Sequence, residues 1–146
     1  MATSFKIEGL AELADALGEL SSAAAINVQK RALAEAARPI QQDAQALAPY
    51  RTGLLKRRIT ISSKLSARQK HSSVKESKVE LYVGPPSMAR AIVAEFGSVK
   101  QTPKAFMRPA WDANKTKALN SIKDILAEEI EDARARAARK TAKYLK

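Results

Sequence analysis

One histidine, no cysteine and fifteen carboxylates are the raw material for chemistry in this chain of 146 residues. The histidine, His71, stands among serines and lysines. Acid–base work would need a fixed geometry and an orienting partner, so a solvated loop histidine is the plainer reading. Glu128, Glu129, Glu131 and Asp132 cluster near the end of a helical stretch. Carboxylate metal sites draw convergent ligands from several elements, whereas consecutive helix residues diverge around the axis, and this cluster reads as a solvated face. The lack of cysteine removes disulfides, thiolate zinc sites and cysteine nucleophiles. No Walker loop, dinucleotide glycine pattern or serine nucleophile elbow occurs. We expect no catalytic residue, no metal and no cofactor. An enzyme assembled from scattered residues is the remote alternative.

The residues can, however, attract negative charge. The formal net charge is +11 and it is unevenly placed. Residues 1–49 hold four Lys/Arg against six Asp/Glu, residues 50–123 hold sixteen against four, and residues 124–146 hold six against five. A field concentrated in the middle of the chain suits nucleic acid, an acidic protein or a membrane, and charge alone does not choose among them. Its densest part is Lys64, Arg68, Lys70 and Lys75, with Glu76 beside them. These four are the candidate contacts to DNA or to a partner. A merely solvated loop is the bland alternative.

The elements that must position them follow from periodicity. Phe5 and Ile7 suggest a short first strand broken at Gly9, and Ala11–Leu20 reads as a short helix. Ser21 or Ser22 is a plausible cap for a long helix running to about Ala48. In it Ile26, Leu33, Ile40 and Leu47 fall seven apart, with Ala37 and Ala44 beside them. Pro39 should kink it near Arg38. Pro49–Gly53 is a turn. Ile59 and Ile61, then Val79, Leu81 and Val83, alternate with polar residues and should pair as an antiparallel hairpin. Residues 63–77 between them have no apolar period and read as a mobile basic loop. Met88–Phe96 is a short helix stopped by Gly97. Phe106, Met107, Pro109 and Trp111 form an apolar cluster, of which Phe106, Met107 and Trp111 are expected to fill a core. A last helix runs from about Pro109 to Ala138, with Leu119, Ile122, Leu126, Ile130 and Ala133 on one face. The basic tail, residues 134–146, should fray or dock on a partner. The fold class is α+β: one domain over 1–146, with a small antiparallel sheet packed against a long kinked helix and a C-terminal helix. No apolar run approaches the ~20 residues of a membrane span, and Met1–Leu10 lacks a signal-peptide core. We therefore expect a soluble protein made inside the cell, with no membrane partner.

Three short motifs stand in order along this frame. Ala48-Pro49-Tyr50-Arg51-Thr52-Gly53-Leu54-Leu55-Lys56 follows the long helix, Ala94-Glu95-Phe96-Gly97-Ser98 ends the short one, and Pro103-Lys104-Ala105-Phe106-Met107-Arg108-Pro109-Ala110 opens the last. Together with Phe5-Lys6-Ile7-Glu8-Gly9-Leu10 and Leu13, this series resembles the gene-product-ten-like family of tail components encoded in the head–tail gene cluster of lambdoid and related long-tailed phages. The resemblance covers nearly the whole chain. The residues 64–77 are where it departs from the family's pattern.

The motifs themselves read as structural. Thr52 offers a hydroxyl to the local backbone and Gly53 can take φ > 0 in a tight turn. Glu95 could cap, pair with a neighbouring subunit or be solvated. Phe96 is an anchor aromatic beside the helix stop at Gly97. Pro109 suits the first turn of a helix, where a missing N–H is harmless, with Phe106 and Arg108 just before it. The resemblance implies a structural virion protein, a neck or tail-completion subunit in a ring at the head–tail junction. It implies six or twelve copies, head-closure or connector proteins on one side, and a tail terminator or tail tube protein on the other. Assembly is expected in the host cytoplasm, and in such a ring the basic loop would reach packaged DNA in the channel, contacted without sequence specificity, or acidic side chains of an adjoining ring. A tail terminator capping the tube is the close alternative, and a basic nucleic-acid-binding module the more distant one.

Overall fold

Val28, Ala32, Ala36, Ile40 and Ala44 recur every fourth residue, and all five are buried. They form the inner row of helix α2, Ser22–Leu47, in a computed structural model that describes residues 9–145. Rows spaced by four are the ridges through which two helices interdigitate. Because three of the five are alanine, the partner helix can approach closely. The expected row at seven-residue spacing is therefore corrected. Ile40 and Ala44 point inward, but Ile26 and Leu33 are half-buried flanks and Leu47 is 50% exposed. Ser21 caps α2 by accepting a hydrogen bond from the Ala24 N–H. The helix runs on through Pro39.

The partner is α6, Met107–Tyr144. At ~1.5 Å per residue it is about 57 Å long. It lies antiparallel to α2, because Val28 and Ala32 meet Leu126, Ile130 and Ala133 at one end while Ala44 and Ala48 share a cluster with Phe106 and Ala110 at the other. Asn114, buried between the helices, donates to the Asp43 carboxylate and to the Ala110 carbonyl. Arg31 pairs with Glu129 across the same seam. Helix α1, Leu10–Gly18, lays Leu13, Ala16 and Leu17 on the second cluster. The tail from residue 134, expected to fray or to dock on a partner, continues as helix to Tyr144. Alanine, arginine and lysine are strong helix formers, and Arg134 ties that turn to Glu19 and Glu131.

A small sheet covers the first cluster. Strand β1, Thr60–Ser62, pairs antiparallel with β2, Tyr82–Gly84, with Ile61 opposite Val83. The hairpin is as expected, but both strands are shorter. Leu54–Arg58 forms one helical turn, α3, before β1, so Ile59 stands at a junction and not in a strand. Ile59 is fully buried, and its carbonyl accepts from the amides of Gln41 and Gln45 on α2. Helix α5, Ala89–Phe96, contributes Ala91 and Ala94 to the same cluster and ends at Gly97. The resulting architecture is α+β, as the sequence implied. The strand expected at Phe5 and Ile7 lies outside the described residues.

Candidate functional site

Residues 63–77 are not featureless. Ala67–Lys70 forms a helical turn, α4, with a capping box in which Ser66 and Gln69 satisfy each other's backbone N–H groups. The Gln69 amide also donates to the Pro85 carbonyl, which ties this turn to the end of β2. On the return path one carboxylate organises the chain. Glu80 accepts from the backbone N–H groups of Glu76 and Ser77 and from the Tyr82 hydroxyl. These donors favour the charged form, the Tyr82 bond most, and hold Glu80 below the usual carboxylate range.

The outcome is a cleft of about 450 Å³ lined by Lys64, Lys70, Lys75 and Lys78, with Lys30 added from α2. Of the four basic residues singled out in the sequence, it gathers three. Arg68 lies on α4 but does not line the cleft. Lys30 and Lys78 were missed, Lys30 because it is remote in sequence and joins only through packing. Lys64, Leu65 and Tyr82 also line a neighbouring concavity that holds Arg57 and Arg58. Five ammonium groups around a cleft with Glu80 as its one carboxylate make a positive surface suited to a polyanion. His71 is exposed at the end of α4. Among the described residues no group of three His, Cys, Asp or Glu side chains could hold a metal, and no helix is long and apolar enough to cross a membrane.

The second constellation joins α5 to α6. Glu95 is 5% exposed and its carboxylate accepts the N–H groups of Phe106, Met107 and Arg108 at 2.9–3.0 Å. It is thus the cap of α6, supplied from another helix, and it meets the positive end of the helix dipole. The Arg108 guanidinium closes the joint, donating to the Glu95 carboxylate and to the Glu95 carbonyl. Burial pushes the Glu95 carboxyl up, but these four hydrogen bonds outweigh it and hold the group below its ordinary value. Pro109 sits in the first turn of α6, where no intrahelical donor is lost.

The other motif residues fall into place around this joint. Gly97, at φ 79°, turns the chain so tightly that a Cβ would lie 2.8 Å from Pro103. Phe106 is buried. Phe96 is 66% exposed, not an anchor in the core, and Arg108 stacks over its ring at 5.1 Å. Trp111, expected with Phe106 and Met107 in the core, is 54% exposed. Trp111 lines the open groove between α2 and α6, together with Leu33 and Ala37. At the turn after α2, Gly53 adopts φ 70° and the Thr52 hydroxyl accepts from the Leu54 N–H.

Neither constellation pairs a nucleophile with a base. One holds helices together and the other presents positive charge. Residues 11–97, well over half of the chain, match the family described as Bacteriophage HK97-gp10, putative tail-component, and the chain belongs to that family. The match includes the Thr52-Gly53 and Glu95-Phe96-Gly97 motifs and stops short of Phe106-Met107-Arg108-Pro109. No curated protein and no solved structure matches the chain.

Proposed function

We propose that this tail component is a neck or tail-completion subunit, acting in a closed ring at the head–tail junction of a long-tailed phage and working by shape, not by catalysis. The observation that carries the reading is that, in a chain of a tail-component family, Glu95 and Gly97 at the end of the matched residues hold α5 against α6: Glu95 caps and Gly97 turns, and Arg108, beyond the match, clamps. A ring subunit must present one surface to its copy and a different one to the next. The exposed faces of α5 and α6, with Ile92, Phe96 and Trp111, supply apolar surface for such contacts. Six or twelve copies would match the symmetry that the family implies. Head-closure or connector proteins would adjoin one side and a tail terminator or tail tube protein the other, after assembly in the host cytoplasm.

In this reading the lysine cleft faces DNA phosphates or acidic side chains of an adjoining ring. Lys64, Arg68, Lys70 and Lys75 are all exposed and lie on no apolar face. Contacts to phosphate need no base readout, which suits a channel that must pass any genome sequence. Mass spectrometry of purified particles tests the assignment: the chain should be present at low copy, far below the capsid protein. Its absence from infectious particles would favour an assembly factor. A tail terminator is the second reading, and the position of the ring in the particle separates the two. The third, a free nucleic-acid-binding module, rests on the same cleft and requires salt-dependent DNA affinity without a particle.

A further inference from the structure

An open groove of about 620 Å³ lies between α2 and α6. Its floor is apolar. Leu33 and Ala37 come from α2, Leu119 and Ile122 from α6, Val83 from β2, and Trp111 stands at the far end. Leu119 and Ile122 belong to the face of α6 whose next turns, Leu126 and Ile130, are buried. Among the described residues nothing covers the groove, and a contiguous apolar strip of this kind marks an interaction surface.

The groove runs into the lysine cleft. Lys30 lines the cleft, and Leu33 and Ala37, further along the same stripe of α2, line the groove. Because α2 and α6 are antiparallel, Leu33 lies toward the Ile122 end. One end of the apolar floor therefore opens on ammonium groups and the other on Trp111. A ligand must suit both. DNA phosphates would answer the lysines but leave the floor bare, because a duplex backbone offers charge and no apolar face. A purely apolar segment would bring no countercharge to the cleft. A second copy fits poorly. The chain is strongly basic, at +11, and its exposed Ile92 and Phe96 stand beside Arg90 and Arg108, so that patch would bring like charge to the lysines. The acidic stretch of α6 around Glu128 and Asp132 already has its apolar neighbours, Leu126 and Ile130, buried against α2.

We propose that groove and cleft together take an amphipathic helix of another virion protein, its apolar stripe on Leu33, Leu119 and Ile122 and its acidic end among the lysines. Resting on the proposed role at the head–tail junction, this assignment gives the cleft an acidic protein partner in place of DNA. A floor between two antiparallel helices accepts a third helix laid along it. The span from Trp111 to Ile122 rises about 16 Å, room for roughly three helical turns. The apolar floor supplies affinity, and the lysines fix the direction in which the helix lies.

Trp111 is the sole tryptophan and reports on the groove directly. The probe is a synthetic peptide of about fourteen residues, roughly four helical turns, with leucine at helical spacing and glutamate over its last turn. Its counterpart carries lysine in place of glutamate. Added to the full chain at low salt, the acidic peptide should move Trp111 emission to shorter wavelength. It should bind about tenfold more tightly than the lysine counterpart, with the gap narrowing as salt rises. Lys64→Ser, Lys70→Ser and Lys75→Ser in one chain should erase that preference while the helical circular dichroism stays unchanged. Equal affinity for the two peptides, or an unmoved Trp111 emission, overturns the proposal. A short DNA duplex that binds more tightly than the acidic peptide overturns it in favour of nucleic acid. A Trp111 shift that grows with protein concentration alone overturns it in favour of a second copy. Every arm uses the isolated chain, so a particle in which the chain lies elsewhere would sink the role at the junction and leave the peptide result standing.

Discussion

Glu95 is the residue on which the joint between α5 and α6 turns. Its carboxylate satisfies three N–H groups at the start of α6 and half of the Arg108 fork. Glu95→Ala would leave the three N–H groups, one buried and two partly buried, without this partner, and we expect a loss of about 2–3 kcal/mol in urea denaturation. The pH dependence has a definite sign. The folded-state pKa is lowered from the ordinary value of 4.5, so the stabilisation is complete above that value and is lost as pH falls through the lower, folded pKa. Denaturation midpoints followed downward from pH 4.5 should therefore fall more steeply for the native chain than for Glu95→Gln, which cannot titrate there. Parallel pH profiles would mean that the carboxylate is not what holds the joint. Capping was one of three roles that Glu95 could have had on sequence alone. The choice depended on Phe106, Met107 and Arg108, eleven to thirteen residues away, and no local pattern brings those N–H groups to it.

At the scale of the element, the informative contrast is between the two rows that α2 could have buried. Ala44 is fully buried against α6 and Leu47 is half-exposed. Ala44→Leu should cost about 1–3 kcal/mol through overpacking, and Leu47→Ala well under the 2–5 kcal/mol of a core truncation. The reverse order in thermal denaturation would restore the row spaced by seven. That row was tempting because Ile26, Leu33, Ile40 and Leu47 carry the hydrophobicity, whereas the true row is mostly alanine and almost silent to a reader of apolar periods. The features with local signals were legible: a serine cap at residue 21 or 22, Gly97 as a stop, and the antiparallel pairing of the two strands, though not its register. Those without one were not. Leu54–Arg58 is too short to show a period, and the turn at Ala67–Lys70 depends on the side chains of Ser66 and Gln69. The basic segment that carries this turn yields a prediction of its own. Replacing Lys64, Arg68, Lys70 and Lys75 by Ser should leave the circular dichroism unchanged, since all four are exposed. In the phage it should give unjoined heads and tails or leaking DNA. Normal plaque counts and genome retention would reduce the cleft to a solvated surface.

For the molecule as a whole, the charge and the apolar surface are arranged for neighbours. The basic helical end of α6, from Arg134 to Lys143, extends past the buried cluster at Ala133 with every side chain exposed. Like charges on such ends oppose spontaneous closure of copies around a common axis. We therefore expect the isolated protein to be monomeric or loosely associated, with the ring templated by an adjoining one. Light scattering at micromolar concentration checks this, and a stable closed ring there would contradict the templating.

Cryo-imaging of the purified virion would locate the chain in the particle. We expect a ring at the head–tail junction into which α2 and α6 fit as an antiparallel pair, with the Lys30–Lys78 cleft turned toward the channel or an adjoining ring. Density for the chain at the tail tip, in the capsid shell or nowhere in an infectious particle would contradict it.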